Sequence, residues 1–381
     1  MERTKSSGHP TFVVLDGLRG VAALVVAFGH NKNVCRGIWP NSYNLAVDFF
    51  FLLSGFVVAL SFEPRLREGM SFSAFVKARM IRLYPMYILG TAGFGLYVVL
   101  DFNFTPMSWP DLLSTSLPTL LMLPVRADNL WPFLFPYNPV AWSLFCEIVA
   151  NVLFAACLSR LTDRILALVC AAGALGVAVS THANGYFQAG PFWGDAWGGL
   201  ARVALSFFGG VLLFRMHDLR VLALQPVHWL LPTALLCFGL WVRIPPRWPM
   251  LSFLTLVLLF PAVLVLAVNS RPGPRASRWM AVLGVVSYPL YTLQAAVGTA
   301  VNKSFEVALP HPERYAPYSG LFLVAVCALV AYLAAVQIDI PVRRSLGRLS
   351  LSVRPRSAAS RPEPSGFGQA HLHVPSTILK T

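Results

Sequence analysis

Runs of about twenty apolar residues follow one another along most of the chain, and this succession restricts the fold more than any other feature. A helix needs about 20 mostly apolar residues to cross the hydrocarbon of a bilayer. Ten such runs fall at roughly 12–30, 44–62, 83–100, 138–159, 164–180, 198–215, 226–243, 250–268, 279–301 and 318–338. No water is present at that depth, so a spanning backbone must satisfy its own hydrogen bonds, and helices do so. The expected fold is therefore all-α: a polytopic integral membrane protein with about ten transmembrane helices in one bundle. Only 12% of the 381 residues are charged, against about 25% in soluble domains. The run at 111–124 is short and holds Pro118 and Pro124, which suits a re-entrant or interfacial piece. The first run carries Asp16, Arg19 and His30 and lacks a small-residue cleavage site, so it is expected as a retained helix rather than a signal peptide.

The formal charge of +14 invites a nucleic-acid partner, but the basic residues lie between the apolar runs, where topology explains them. With the N-terminus inside, 21 of the 30 Lys and Arg residues fall in cytoplasmic segments and 7 in outward loops; Arg19 and Arg202 lie within spans. That bias follows the positive-inside rule and puts both termini in the cytoplasm. Residues 341–381 turn to Arg, Pro, Ser and Gly and are expected as a disordered basic cytoplasmic tail, after a transmembrane domain at 1–340. The six cysteines show no paired metal spacing. Five lie in apolar runs, and Cys35 stands alone in an outward loop, so neither a metal site nor a disulfide is expected there.

Ionisable side chains inside spans are costly and point to function. Asp16 and Arg19 are three apart near the inner end of the first span, where they could form a local ion pair. Arg19 and His30 are eleven residues apart, about three helical turns, so they share one face at roughly 16 Å along the axis. By depth, His30, Asp48, Glu147 and Gln294 all fall in the outer half. An acid–imidazole group there would suit base chemistry on a hydroxyl; a structural polar network joining helices would look the same. Arg79 and Arg82 share a face at i, i+3. Their forks suit phosphate oxygens, and equally suit anchoring at the inner surface.

Five segments in order carry a resemblance. Residues 15–20 read LDGLRG, and ten residues separate Arg19 from His30. Residues 47–56 read VDFFFLLSGF, 79–85 RMIRLYP, 142–147 WSLFCE and 287–293 SYPLYTL. Together they resemble the acyltransferase-3 family of bacterial membrane O-acyltransferases. The resemblance implies transfer of an acyl group, commonly acetyl, from cytoplasmic acyl-CoA as co-substrate, with no permanently bound cofactor. It implies a hydroxyl of a cell-surface glycan or its lipid-linked precursor as acceptor, or in some relatives a small metabolite. It implies a place in the bacterial inner membrane, among membrane lipids. By analogy His30 is the catalytic base or acyl-handling residue, with Glu147 and Asp48 as the carboxylates that would orient the imidazole. Arg19, Arg79 and Arg82 would meet the donor, and Trp142, Tyr288 and Gln294 would line the substrate path. The family often has a histidine where this chain has Gln294, which cannot titrate. A transporter or flippase is the competing class; its mark would be a pair of Gly/Pro-broken helices in matching halves, and the sequence shows no such symmetry. A silent membrane scaffold is a third reading.

Overall fold

A computed structural model describes residues 12–100, 109–127, 132–245, 248–309 and 311–352. Thirteen α-helices lie among them, with two isolated β-bridges and no strand. In chain order they are α1 Val13–His30, α2 Ala46–Arg67, α3 Phe72–Leu100, α4 Trp109–Leu120, α5 Ala141–Cys157, α6 Asp163–Asn184 and α7 Ala196–Asp218. There follow α8 Leu230–Trp241, α9 Pro249–Leu254, α10 Phe260–Val268, α11 Pro274–Ala308, α12 Tyr318–Ala334 and α13 Ile340–Ser352. Two π-turns, Thr255–Leu259 and Ala335–Asp339, join α9 to α10 and α12 to α13 into continuous rods.

Each of the ten apolar runs carries a helix. Eight helices among the described residues are long and apolar enough to cross a membrane. The other two fall short of that length: α5 has 17 residues and α8 has 12. At 1.5 Å per residue α8 is about 18 Å long, less than the roughly 30 Å of hydrocarbon. Loop contacts extend it: Val227 N–H donates to the Asn269 carbonyl at one end, and Ser42 N–H to the Leu240 carbonyl at the other. The part of the expected tail at 341–352 is helical, because the last apolar rod continues through α13; the remainder, 353–381, lies outside the described residues, as does residue 1 to 11 of the expected inner N-terminus.

Small residues set the closest helix crossings. A Cβ on Gly55 of α2 would overlap the Phe207 carbonyl of α7, and one on Gly210 of α7 would overlap the Leu52 carbonyl of α2. Gly20 of α1 lies on Leu283 of α11 in the same way. Lipid offers no hydrophobic drive for helices to associate, so close backbone approach supplies the packing. The apolar surface is turned outward: Leu96, Leu168, Phe238, Leu258 and Leu329 are all exposed.

These contacts fix direction. Gly17 meets Met280 and Gly298 meets Asn31, while Gly90 meets Thr292 and Gly93 meets Ala296. Hence α1, α3 and α11 run parallel, with His30, Leu100 and Ala308 at one end of the bundle. α4 dips from that same end into the interior. Its first turns pack Leu112 near Phe94 and Val98, and at its far end the Thr119 and Leu120 carbonyls accept from the Tyr87 and Tyr84 hydroxyls. The chain then turns at Met122 in the left-handed region (φ 57°). This is the re-entrant form of the two alternatives for 111–124, and tyrosines from α3 satisfy the carbonyls it leaves open at depth.

Candidate active site

All five motif segments face the interior between α1, α2, α3, α5 and α11, and they form two polar stations. The first lies towards the α1 start. Arg19 Nε donates to Ser287 Oγ at 3.0 Å, and its Nη2 reaches Asp16 at 3.1 Å. Arg79 pairs with Glu147 at 2.8 Å, and Ser54 of α2 donates to the same carboxylate oxygen at 2.5 Å. The Arg82 guanidinium lies 5.4 Å from the Tyr288 ring centre, and the Tyr288 hydroxyl donates to the Leu83 carbonyl. Arg82 also lies 3.8 Å from Asp339. Arg19 stands within electrostatic reach of both Arg79 and Arg82.

The second station is at the other end. His30 is the last residue of α1 and is exposed. Its ring meets Tyr43 edge to face at 5.4 Å. Beside it lies the Gln294 side chain of α11. Gln294 is buried, yet neither its amide nitrogen nor its carbonyl oxygen has a well-formed hydrogen bond. Next to His30, Asn31 Nδ2 donates to the Ala27 carbonyl and its Oδ1 accepts from Asn302 of α11 at 3.0 Å. These bonds pin the end of α1 that presents the imidazole.

The carboxylate expected beside His30 is not assembled. Ser143, one turn before Glu147, bonds to Tyr291 at 2.7 Å. Tyr291 is three residues before Gln294, so Glu147 lies about 10 Å along the bundle from the Gln294 level. Its charge is spent on Arg79. Asp48 is spent too: Arg202 of α7 grips it through Nε at 3.0 Å and Nη2 at 2.7 Å. Arg202 also donates to the Ala189 and Asn44 carbonyls, which satisfies a fully buried guanidinium. Trp142 lies against that guanidinium at 5.4 Å and fills the space left by the absent side chain of Gly190. Trp142 and Asp48 are thus parts of a structural brace, and Tyr288 is a platform for Arg82. Of the nine expected site residues, only Gln294 stands with His30.

Sequence reasoning also missed partners. Asp339 and Arg343 join the first station through a direct ion pair; they fell at the edge of the apolar run, where no membrane-embedded charge was expected. Farther out at the same end, Arg215 bridges Glu63 and Asp163 at 3.0 and 2.8 Å. Its signal in the sequence was a lone acid, Glu63, at the inner edge of the second hydrophobic stretch.

A many-helix bundle with apolar outer surface and a charged polar interior defines a polytopic membrane protein with an internal site. Residues 12–337 match the acyltransferase domain family, Acyl_transf_3, and the chain belongs to that family of membrane acyltransferases. It is similar to "Protein 2 in picA locus" of Rhizobium radiobacter, 39% identical over 181 residues, which cover 44% of this chain and 94% of that protein. No solved structure gives a significant match.

Proposed function

We propose that this membrane acyltransferase moves an acyl group, acetyl in the simplest case, from cytoplasmic acyl-CoA to a hydroxyl of a surface glycan or its lipid-linked precursor. The protein would sit in a bacterial inner membrane with the Arg82 end and both termini in the cytoplasm. The observation that carries this reading is the pair of stations on one helix. α1 contributes Arg19 to a cluster of guanidiniums at one end and presents His30 at the other. Arg82 and Arg343 face one buried carboxylate, Asp339, and Arg19, itself paired with Asp16, adds its field to both, so the cluster has positive charge to spare for a phosphate-bearing donor. The donor's extended pantetheine arm would carry the thioester up the bundle towards the imidazole.

At that end the chemistry balances simply. His30 takes the proton from the acceptor hydroxyl as its oxygen bonds to the thioester carbonyl carbon. The carbon–sulfur bond then breaks, and the leaving CoA thiolate takes the proton from the His30 imidazolium, which restores the base. Gln294 is placed to hold the ring or to donate its unpaired N–H to the carbonyl oxygen as charge develops. The Arg79–Glu147 and Arg202–Asp48 pairs act in this reading as braces, in place of the expected catalytic carboxylates. The test is transfer of labelled acetyl from acetyl-CoA by the purified protein in liposomes, followed by mass spectrometry of surface glycans from cells with and without the gene. Hydroxyl-linked acetyl groups that vanish with the gene support the proposal; unchanged glycans together with no turnover of acetyl-CoA would contradict it.

A further inference from the structure

The π-turn Ala335–Asp339 interrupts the last long rod and closes on a fully buried acid. A π-turn adds one residue to a helical turn and so re-aims the side chains that follow, a device found often at functional sites. Here the re-aimed group is Asp339, which points to the Arg82–Tyr288 platform. Arg343, one turn on, pairs directly with it, and Arg343 Nε also reaches the Asp339 carbonyl at 3.4 Å. Arg82 is much looser: its Nη1 lies 3.8 Å from Asp339 Oδ2, beyond hydrogen-bond range. The Arg82 side chain keeps 28% of its surface and that of Arg343 keeps 18%, against 0% for Asp339. Arg19 stands within electrostatic reach of both arginines. Arg82 and Arg343 therefore share one buried carboxylate while both keep accessible surface, and Arg19, paired with Asp16, adds a third positive charge beside them.

We propose that Arg343 is a further donor-binding residue and that Asp339 is a built-in counter-anion, which holds Arg82 and Arg343 in place until a phosphate of acyl-CoA takes its share of Arg82. This rests on the reading of the arginine cluster as the donor's seat. The contact geometry supports the exchange. Arg343 remains tied to Asp339 and stays oriented, while Arg82 sits on an aromatic platform with no hydrogen bond of its own among the described residues. A fork already held in the bound geometry loses less on binding.

The sign of one substitution separates this role from a plain structural one. Binding of CoA itself to the full-length protein in detergent is measured by calorimetry and by thermal shift. Wild type is expected to bind. Asp339→Asn keeps the shape and removes the competing charge, so CoA should bind about tenfold tighter, the gain expected from one charge-assisted hydrogen bond freed of a competitor. CoA should also raise the melting temperature of Asp339→Asn by more than that of wild type, since a tighter ligand stabilises more. CoA binding that is unchanged or weaker in folded Asp339→Asn overturns the proposal. If that variant fails to fold, Arg343→Gln carries the test: the KM for acyl-CoA should rise about tenfold with kcat at saturating donor unchanged, and an unchanged KM overturns it. Absence of CoA binding by wild type overturns the donor reading itself, a result distinct from wild-type binding that Asp339→Asn leaves unaltered.

Discussion

At the scale of the residue, the arginines divide by what already neutralises them. Arg79 is committed to Glu147, with 13% and 15% of the two side chains exposed. Arg79→Ala would leave that carboxylate unpaired in the bundle, at a cost of about 3–5 kcal/mol. A fall in thermal stability, largely relieved when Glu147→Gln is added, is the expected result; equal and additive losses in the double variant would mean that the pair is not coupled. Arg82 lacks such a bond and is the cleaner probe of donor binding. The sequence made the residue types and their approximate depth legible, and the motif residues do converge on one interior. What it could not supply was azimuth. Arg19 meets Ser287 across 268 positions and Arg202 meets Asp48 across 154, and no period within one helix reveals which neighbour it faces. Depth alone also put Glu147 beside His30, because an error of a few residues per helix is several ångströms, about as large as the offset that separates them.

Among the elements, the tightest contact is between α2 and α7. Gly55 and Gly210 each lie on a backbone carbonyl of the other helix. A methyl group at either site must push rigid backbone aside. Gly55→Ala is therefore expected to destabilise by about 1–3 kcal/mol and, because Ser54 beside it holds Glu147, to disturb the first station as well. A melting curve in detergent measures the first effect; a variant as stable as wild type would show that the crossing is looser than described. Hydropathy found every long helix here, since a run of twenty apolar residues is a strong signal. It did not find that α3 begins at Phe72 or that the last rod runs on to Ser352. Those turns are polar helix outside the apolar stretch, where composition resembles a loop or tail. The re-entrant α4 was ambiguous for the opposite reason: its 12 residues are apolar enough for lipid but too few to cross it, and only the tyrosine caps from α3 decide the matter.

On the scale of the whole molecule, the parallel course of α1, α3 and α11 puts the guanidinium cluster and His30 at different depths of one bundle. The proposed orientation places the cluster inside, on the strength of the bias in basic residues. Reporter fusions at Lys32 and after Ser352 should report opposite sides of the membrane; the same side for both would undo that orientation. With the stations separated in this way, a donor held at one end must be consumed by a base at the other. Acyl transfer by reconstituted protein carrying His30→Gln tests it most directly, since glutamine keeps a hydrogen-bonding group and removes the titrating nitrogen. The expected result is a loss of transfer of about 10²–10⁴-fold, with CoA binding near that of wild type and no inflection in the acid limb of the pH–rate profile, where wild type loses activity as the imidazole takes up a proton. Transfer by His30→Gln at a rate close to wild type would mean that His30 is not the base.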